Sequence, residues 1–156
     1  MKKLLFGLVI LFSCLATVSA QSVEAIKIEE FGTVSCDDLV SRLDSYFTQI
    51  MNNLKTAKAY IVIYEGKLLM PLYNQDNRTI NPRRGEVKVR IQTIKNQMKF
   101  RTIPEQAITF IEGGFRNNFT FELWLVPNSV MPPKASPTLE KIKYRKGKAT
   151  DICEGL

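Results

Sequence analysis

The stretch 82–127 constrains the fold more than any other part of the chain. Within it Val87, Ile91, Ile94 and Met98 recur at i, i+4, i+7 and i+11, which draws one apolar stripe along a helix. Lys88, Arg90, Gln92, Lys95 and Asn96 occupy its other sides. Residues 107–111 (AITFI) then read as a buried strand that Gly113-Gly114 ends, and residues 119–126 as a second strand. In that second strand Phe119, Phe121, Leu123 and Leu125 share one face, while Thr120, Glu122 and Trp124 share the other. The unit is helix, strand, turn, strand.

The upstream chain supplies matching parts. Residues 25–29 alternate enough for an edge strand. Ser35 is placed to cap a helix over 36–54, with Asp37 and Asp38 in its first turn, where negative charge meets the dipole favourably. Leu39, Leu43, Phe47, Ile50 and Leu54 make its apolar face. Residues 58–64 (KAYIVIY) are nearly continuously apolar, which suits a central strand covered on both faces. Glu65-Gly66-Lys67 reads as its end, and Pro71 confines any strand over 68–73 to an edge. The crossover from 58 to 111 should bring two strands together in parallel. The fold class is α+β, a two-layer sandwich: a mixed sheet of about four to five strands on two helices, in the order β-α-β-α-β-β.

The two ends have a different character. Lys2-Lys3, the apolar run 4–12 and the small residues Val18-Ser19-Ala20 spell a signal peptide over 1–20, cleaved before Gln21. The alternatives are a lipoprotein modified at Cys14 within Leu11-Phe12-Ser13-Cys14, or a retained anchor. Cleavage removes two lysines and lowers the formal net charge from +7 to +5. It leaves a domain over 21–126, followed by a proline-rich segment and tail over 127–156. Residues 140–146 (EKIKYRK) read as a last short strand with Ile142 and Tyr144 facing inward. Cys36 and Cys153 survive cleavage, and in an oxidising compartment they predict a disulfide that pins the tail beside the first helix.

The chain has no histidine, so it lacks the usual neutral-pH proton shuttle and any Ser–His or Cys–His pair. Two cysteines without histidine do not make a metal site, and no glycine-rich phosphate loop is present; no cofactor is expected. Export directs the basic balance away from nucleic acid and toward anionic polymers of the cell envelope, or toward solubility alone. Arg83, Arg84, Lys88 and Arg90 cluster at the start of the second helix. Cations there oppose the helix dipole, a cost that can mark an anion site. The adjoining polar loop 74–84, which contains Asp76, sits where strand ends gather ligands. Glu65 and Glu112 end two candidate neighbouring strands; side by side they would divide acid and base roles, and so define a small exported enzyme instead.

KVRIQTIKNQM, IPEQAITFIEGGF and NFTFELWL, in this element order, resemble the OmpA-like domain, a periplasmic module that grips peptidoglycan. Arg90 stands at the arginine of that family's helix motif, and Asn118 and Glu122 match its closing strand. The likeness covers roughly 26–126 and implies a non-catalytic binding module of the envelope. YEGK at 64–67 stands where the family has a glycine followed by H-T-D, so the family's ligand-holding aspartate falls at Leu69 and its asparagine at Arg83. Of the binding constellation, Arg90 alone carries over. A secreted interaction or inhibitor domain is the remaining reading.

Overall fold

The structure, a computed structural model, describes residues 24–70 and 78–153. It contains β1 (Ile26–Phe31), α1 (Cys36–Asn53), β2 (Ala57–Met70), β3 (Arg78–Ile80), α2 (Glu86–Phe100), β4 (Ile108–Asn118) and β5 (Thr120–Pro127), with a 3-10 turn over Glu105–Ala107 before β4. The α+β class holds, with a mixed five-stranded sheet and two helices. Among the described residues no helix is long and apolar enough to cross a membrane. The expected signal peptide, the Cys14 lipidation box and Pro71 lie outside the described residues.

Ser35 caps α1 as its chemistry dictates, its Oγ accepting the Asp38 N–H at 3.2 Å. The helix buries Leu39, Leu43, Phe47 and Ile50. Leu54, expected on the same face, is 45 % exposed because the helix ends at Asn53 and the stripe ends with it. Tyr46 takes an inward position that the apolar pattern does not show. Its hydroxyl shares a proton between Tyr60 O at 3.0 Å and Trp124 O at 2.8 Å. It thereby ties α1 to two strands while leaving its own polar atom satisfied.

β2 is the axis of the sheet. Along 59–63 it pairs in parallel with β4 and antiparallel with β5, so those strands occupy its two edges. β1 continues the sheet beyond β5. The parallel crossover expected between 58 and 111 is therefore present. Ile61, Ile63, Phe119, Phe121 and Leu123 face a core shared with Leu39, Leu43, Phe47, Val87, Ile94 and Met98 from the helices. Phe31 stacks on Phe121 at 4.9 Å, and Phe119 meets Phe121 edge-on at 5.3 Å.

Three expected boundaries are corrected. Glu65-Gly66-Lys67 does not end β2, which runs on to Met70. Residues 78–80, expected in a polar loop, form β3 and pair with 68–70, giving the order β-α-β-β-α-β-β. Gly113-Gly114 does not end β4 either. Both glycine sites answer to neighbours instead of to a turn. β4 ends beside Lys67 and β5 begins beside Tyr64, with Phe119 alone between them. The chain therefore crosses β2 at Gly66, where a Cβ would lie 2.3 Å from the Asn118 carbonyl carbon. At Gly113 a Cβ would lie 2.5 Å from the Tyr64 ring.

The tail carries no strand over 140–146; among the described residues its one ladder contact is a bridge from Leu139 to Phe115. Its alternation survives as partial burial, with Ile142, Tyr144 and Arg145 half-buried and Lys141 and Lys143 exposed. The expected Cys36–Cys153 disulfide is present, with Cα atoms 5.2 Å apart and a sequence separation of 117. Closing such a loop restricts the unfolded chain by roughly 4–5 kcal/mol in the chain-entropy model.

Gly66→Ala forces a methyl against backbone that cannot rotate away. It should cost more than the roughly 1–3 kcal/mol of ordinary overpacking, read as a lowered urea midpoint. Reduction of the disulfide should lower the same midpoint, and more so than the solvent-exposed substitution Lys99→Ala.

Candidate functional site

The expected anion site at the start of α2 is already occupied from within. Glu86 turns its carboxylate back on the helix start and accepts the Arg83 N–H at 3.3 Å. The apolar stripe leaves Arg90 on an outward side of α2, yet it is only 4 % exposed. Its Nη2 lies 3.6 Å from Glu86 Oε2, one helical turn away, and its Nη1 donates to Thr150 O at 3.3 Å. Burial pulls the Arg90 guanidinium below its usual value, against the charges of Glu86 and Asp151. Arg83 Nη1 donates to Lys148 O at 2.9 Å. Thr93 Oγ1 donates to Asp151 Oδ1 at 2.7 Å, and the same oxygen accepts the Cys153 N–H at 2.9 Å. The tail thus lies along α2, held by side chains that the pattern assigned to a ligand.

Arg84 and Lys88 remain exposed. The Arg84 guanidinium sits 4.8 Å from the centre of the Tyr144 ring. Asp76 lies outside the described residues.

Glu65 and Glu112 do line one cleft, of about 380 Å³, together with Lys88, Tyr144, Ile63 and Val87. Tyr144 Oη donates to Glu65 Oε2 at 2.6 Å, while Glu65 Oε1 is buried with no partner among the described residues. Burial pushes the Glu65 carboxyl up; the Tyr144 bond and the Arg84 charge oppose this, and the nearby Glu86 and Glu112 add to it. Burial and the Glu65 carboxylate push the Tyr144 hydroxyl up to about 12.

On the sheet face away from the helices, Glu122 sits at the centre of a buried polar cluster that sequence reasoning missed. Its Oε1 accepts from Arg116 Nη2 at 2.8 Å and Lys27 Nζ at 3.1 Å. Its Oε2 accepts from Trp124 Nε1 at 3.0 Å and Tyr64 Oη at 3.3 Å. Burial alone would raise this carboxyl, but the bonds from Trp124, Lys27 and Arg116 outweigh it and the net direction is down. Arg116 also lies flat on the Tyr64 ring, 3.5 Å from its centre, and donates to Ser136 Oγ at 2.7 Å. The alternation of β5 placed Glu122 and Trp124 on this face. Nothing in the sequence places Arg116 and Ser136 there, because they arrive from β4 and from the tail.

Beyond these closed clusters lies an open basic face. The end of β2, the start of α2 with the loop before it, and the tail bring Lys67, Arg84, Lys88, Lys141 and Lys143 to two clefts. None of them takes a salt-bridge partner among the described residues. Glu65 and Glu112 share the cleft beside Lys88, whereas Glu29 and Asp38 pair with Arg42, and Asp44 with Arg101, around α1. No family model matches the chain, and neither does any curated protein or solved structure.

The two buried carboxyls should bend stability oppositely with pH. Glu122 is held down, so its contribution is present above the ordinary glutamate range and is lost as pH falls through its folded value. Glu122→Gln therefore hurts most at neutral pH. Glu65 is held up, so its contribution is full at low pH and is lost as pH rises through its folded value. Glu65→Gln should raise the melting temperature at pH 7 and lose that advantage near pH 4. Glu122→Ala, which strands Arg116, should cost roughly 3–5 kcal/mol. Thermal and urea unfolding from pH 3 to 8 read all three.

Proposed function

We propose that the protein is an exported, non-catalytic binding module of the cell envelope that holds an anionic partner against its basic face. The observation that carries this reading is the gathering, around two clefts, of cations from three separate parts of the chain, none with a salt-bridge partner among the described residues. Repulsion among these cations is a cost that a partner's negative charge would relieve. The Cys36–Cys153 disulfide fits an oxidising compartment, and the OmpA-like resemblance makes peptidoglycan, with its carboxylate-bearing peptides, the partner to test first. In this reading Arg84 and Lys88 remain contact residues, joined by Lys67, Lys141 and Lys143. Arg83 and Arg90 serve to seat the tail.

Insoluble cell-wall sacculi should retain the disulfide-bonded protein at low salt and release it progressively toward about 0.5 M, as screening shortens the reach of exposed charges. Lys141→Glu with Lys143→Glu should abolish retention while leaving the melting temperature within a few degrees. If the unaltered protein stays in the supernatant at low salt, the wall is not its partner.

A second reading, a small exported enzyme, is favoured by the cleft that Glu65 and Glu112 share and by the raised Glu65 carboxyl, a form suited to donating a proton. It requires hydrolysis of a wall polymer that disappears in Glu65→Gln and in Glu112→Gln alike; wall polymer left intact by the unaltered protein ends it.

A further inference from the structure

A second, smaller cleft of about 180 Å³ opens on the basic face. Lys67 from β2 and Lys141 and Lys143 from the tail stand around it, with the carboxamides of Asn81 and Asn117. Pro82, Leu139 and Ile142 supply apolar wall. None of the three ammonium groups and neither carboxamide has a hydrogen-bond partner among the described residues. Lys27 and Lys95, by contrast, each have a carboxylate within about 3 Å. The tail segment that carries Lys141 and Lys143 is fastened at both ends. Thr138 and Leu139 donate their N–H groups to Phe115 O at 2.9 and 3.1 Å, and Arg145 N donates to Pro82 O at 3.0 Å. The span between is held across the cleft instead of trailing in water.

We infer that this cleft takes the free carboxylate end of a short aliphatic peptide. The inference rests on the basic face being a binding surface and names what that surface recognises. Three lysines around one cleft call for an anion. Lysines offer point charges that suit a carboxylate without imposing the fork geometry of arginine. The free carboxamides each offer both a donor and an acceptor, which is what a peptide unit next to the carboxylate needs. The apolar walls suit small aliphatic side chains, and a bare inorganic ion would leave them in water. The volume admits a residue or two and not a folded chain.

The test uses the full disulfide-bonded protein and three probes: N-acetyl-Ala-Ala with a free carboxylate, the same peptide as its C-terminal amide, and inorganic phosphate. Titration followed by amide chemical shifts should show saturable movement at Asn117, Leu139 and Ile142 with the free acid. The amide should bind at least about tenfold more weakly, a loss of about 1.4 kcal/mol. Lys141→Gln with Lys143→Gln should abolish the response, and Lys67→Met, which touches only the β2 side, should weaken it. Near-native melting temperatures in these variants exclude unfolding as the cause. Equal binding of acid and amide, phosphate binding as tightly as the peptide, or no saturation by about 10 mM peptide overturns the inference. Retention on sacculi without peptide binding removes the cleft and leaves the basic face standing. Peptide binding without retention on sacculi keeps the cleft and removes the wall as partner.

Discussion

Hydrogen bonding along both edges of β2 sets the terms for the rest of the molecule. A strand with β4 on one side and β5 on the other has no edge left to show to water, and both of its faces must be covered. The helices cover one face through Ile61 and Ile63. The other face, which carries Tyr60, Val62 and Tyr64, has no helix among the described residues. It is closed by the Glu122 cluster and by the tail, which reaches Tyr64 through Ser136. The segment after β5 is therefore a wall of the domain, despite its lack of regular structure.

This explains which parts of the fold were legible in the sequence. The α1 cap, the two helical stripes and the alternation of β5 are local patterns, and local patterns survive in the structure. The glycine sites misled because glycine has two uses. Gly66 and Gly113-Gly114 look like turns when read along the chain. In space, Gly66 lets another backbone pass and Gly113 lets an aromatic ring lie flat, and both needs come from residues about fifty positions away. The same holds for Tyr46, whose inward place depends on carbonyls of β2 and β5.

The candidate site was legible in its charge and not in its geometry. The sequence shows cations near the start of α2 but not which of them meet tail carbonyls. The structure divides them by side-chain chemistry. Arginines, with several donors in a fixed plane, hold the internal joints at Lys148 O, Thr150 O and Ser136. Lys67, Lys88, Lys141 and Lys143 stand outside around the clefts, and Arg84 with them. The pairing of Glu65 with Glu112 in one cleft was visible from the parallel pairing expected of their strands, although neither residue ends its strand. The tyrosine that binds Glu65 was not, because Tyr144 belongs to a segment with no strand to place it.

The link between Cys36 and Cys153 has a topological meaning as well as an energetic one. It closes a covalent circle that contains both helices and every strand except β1. A single peptide-bond break anywhere inside that circle leaves one connected molecule, whose two fragments part only when the sulfur bridge is reduced. The lysine-bearing tail belongs to the circle, so a nick in the lysine-rich run 141–148 would not set the basic face adrift.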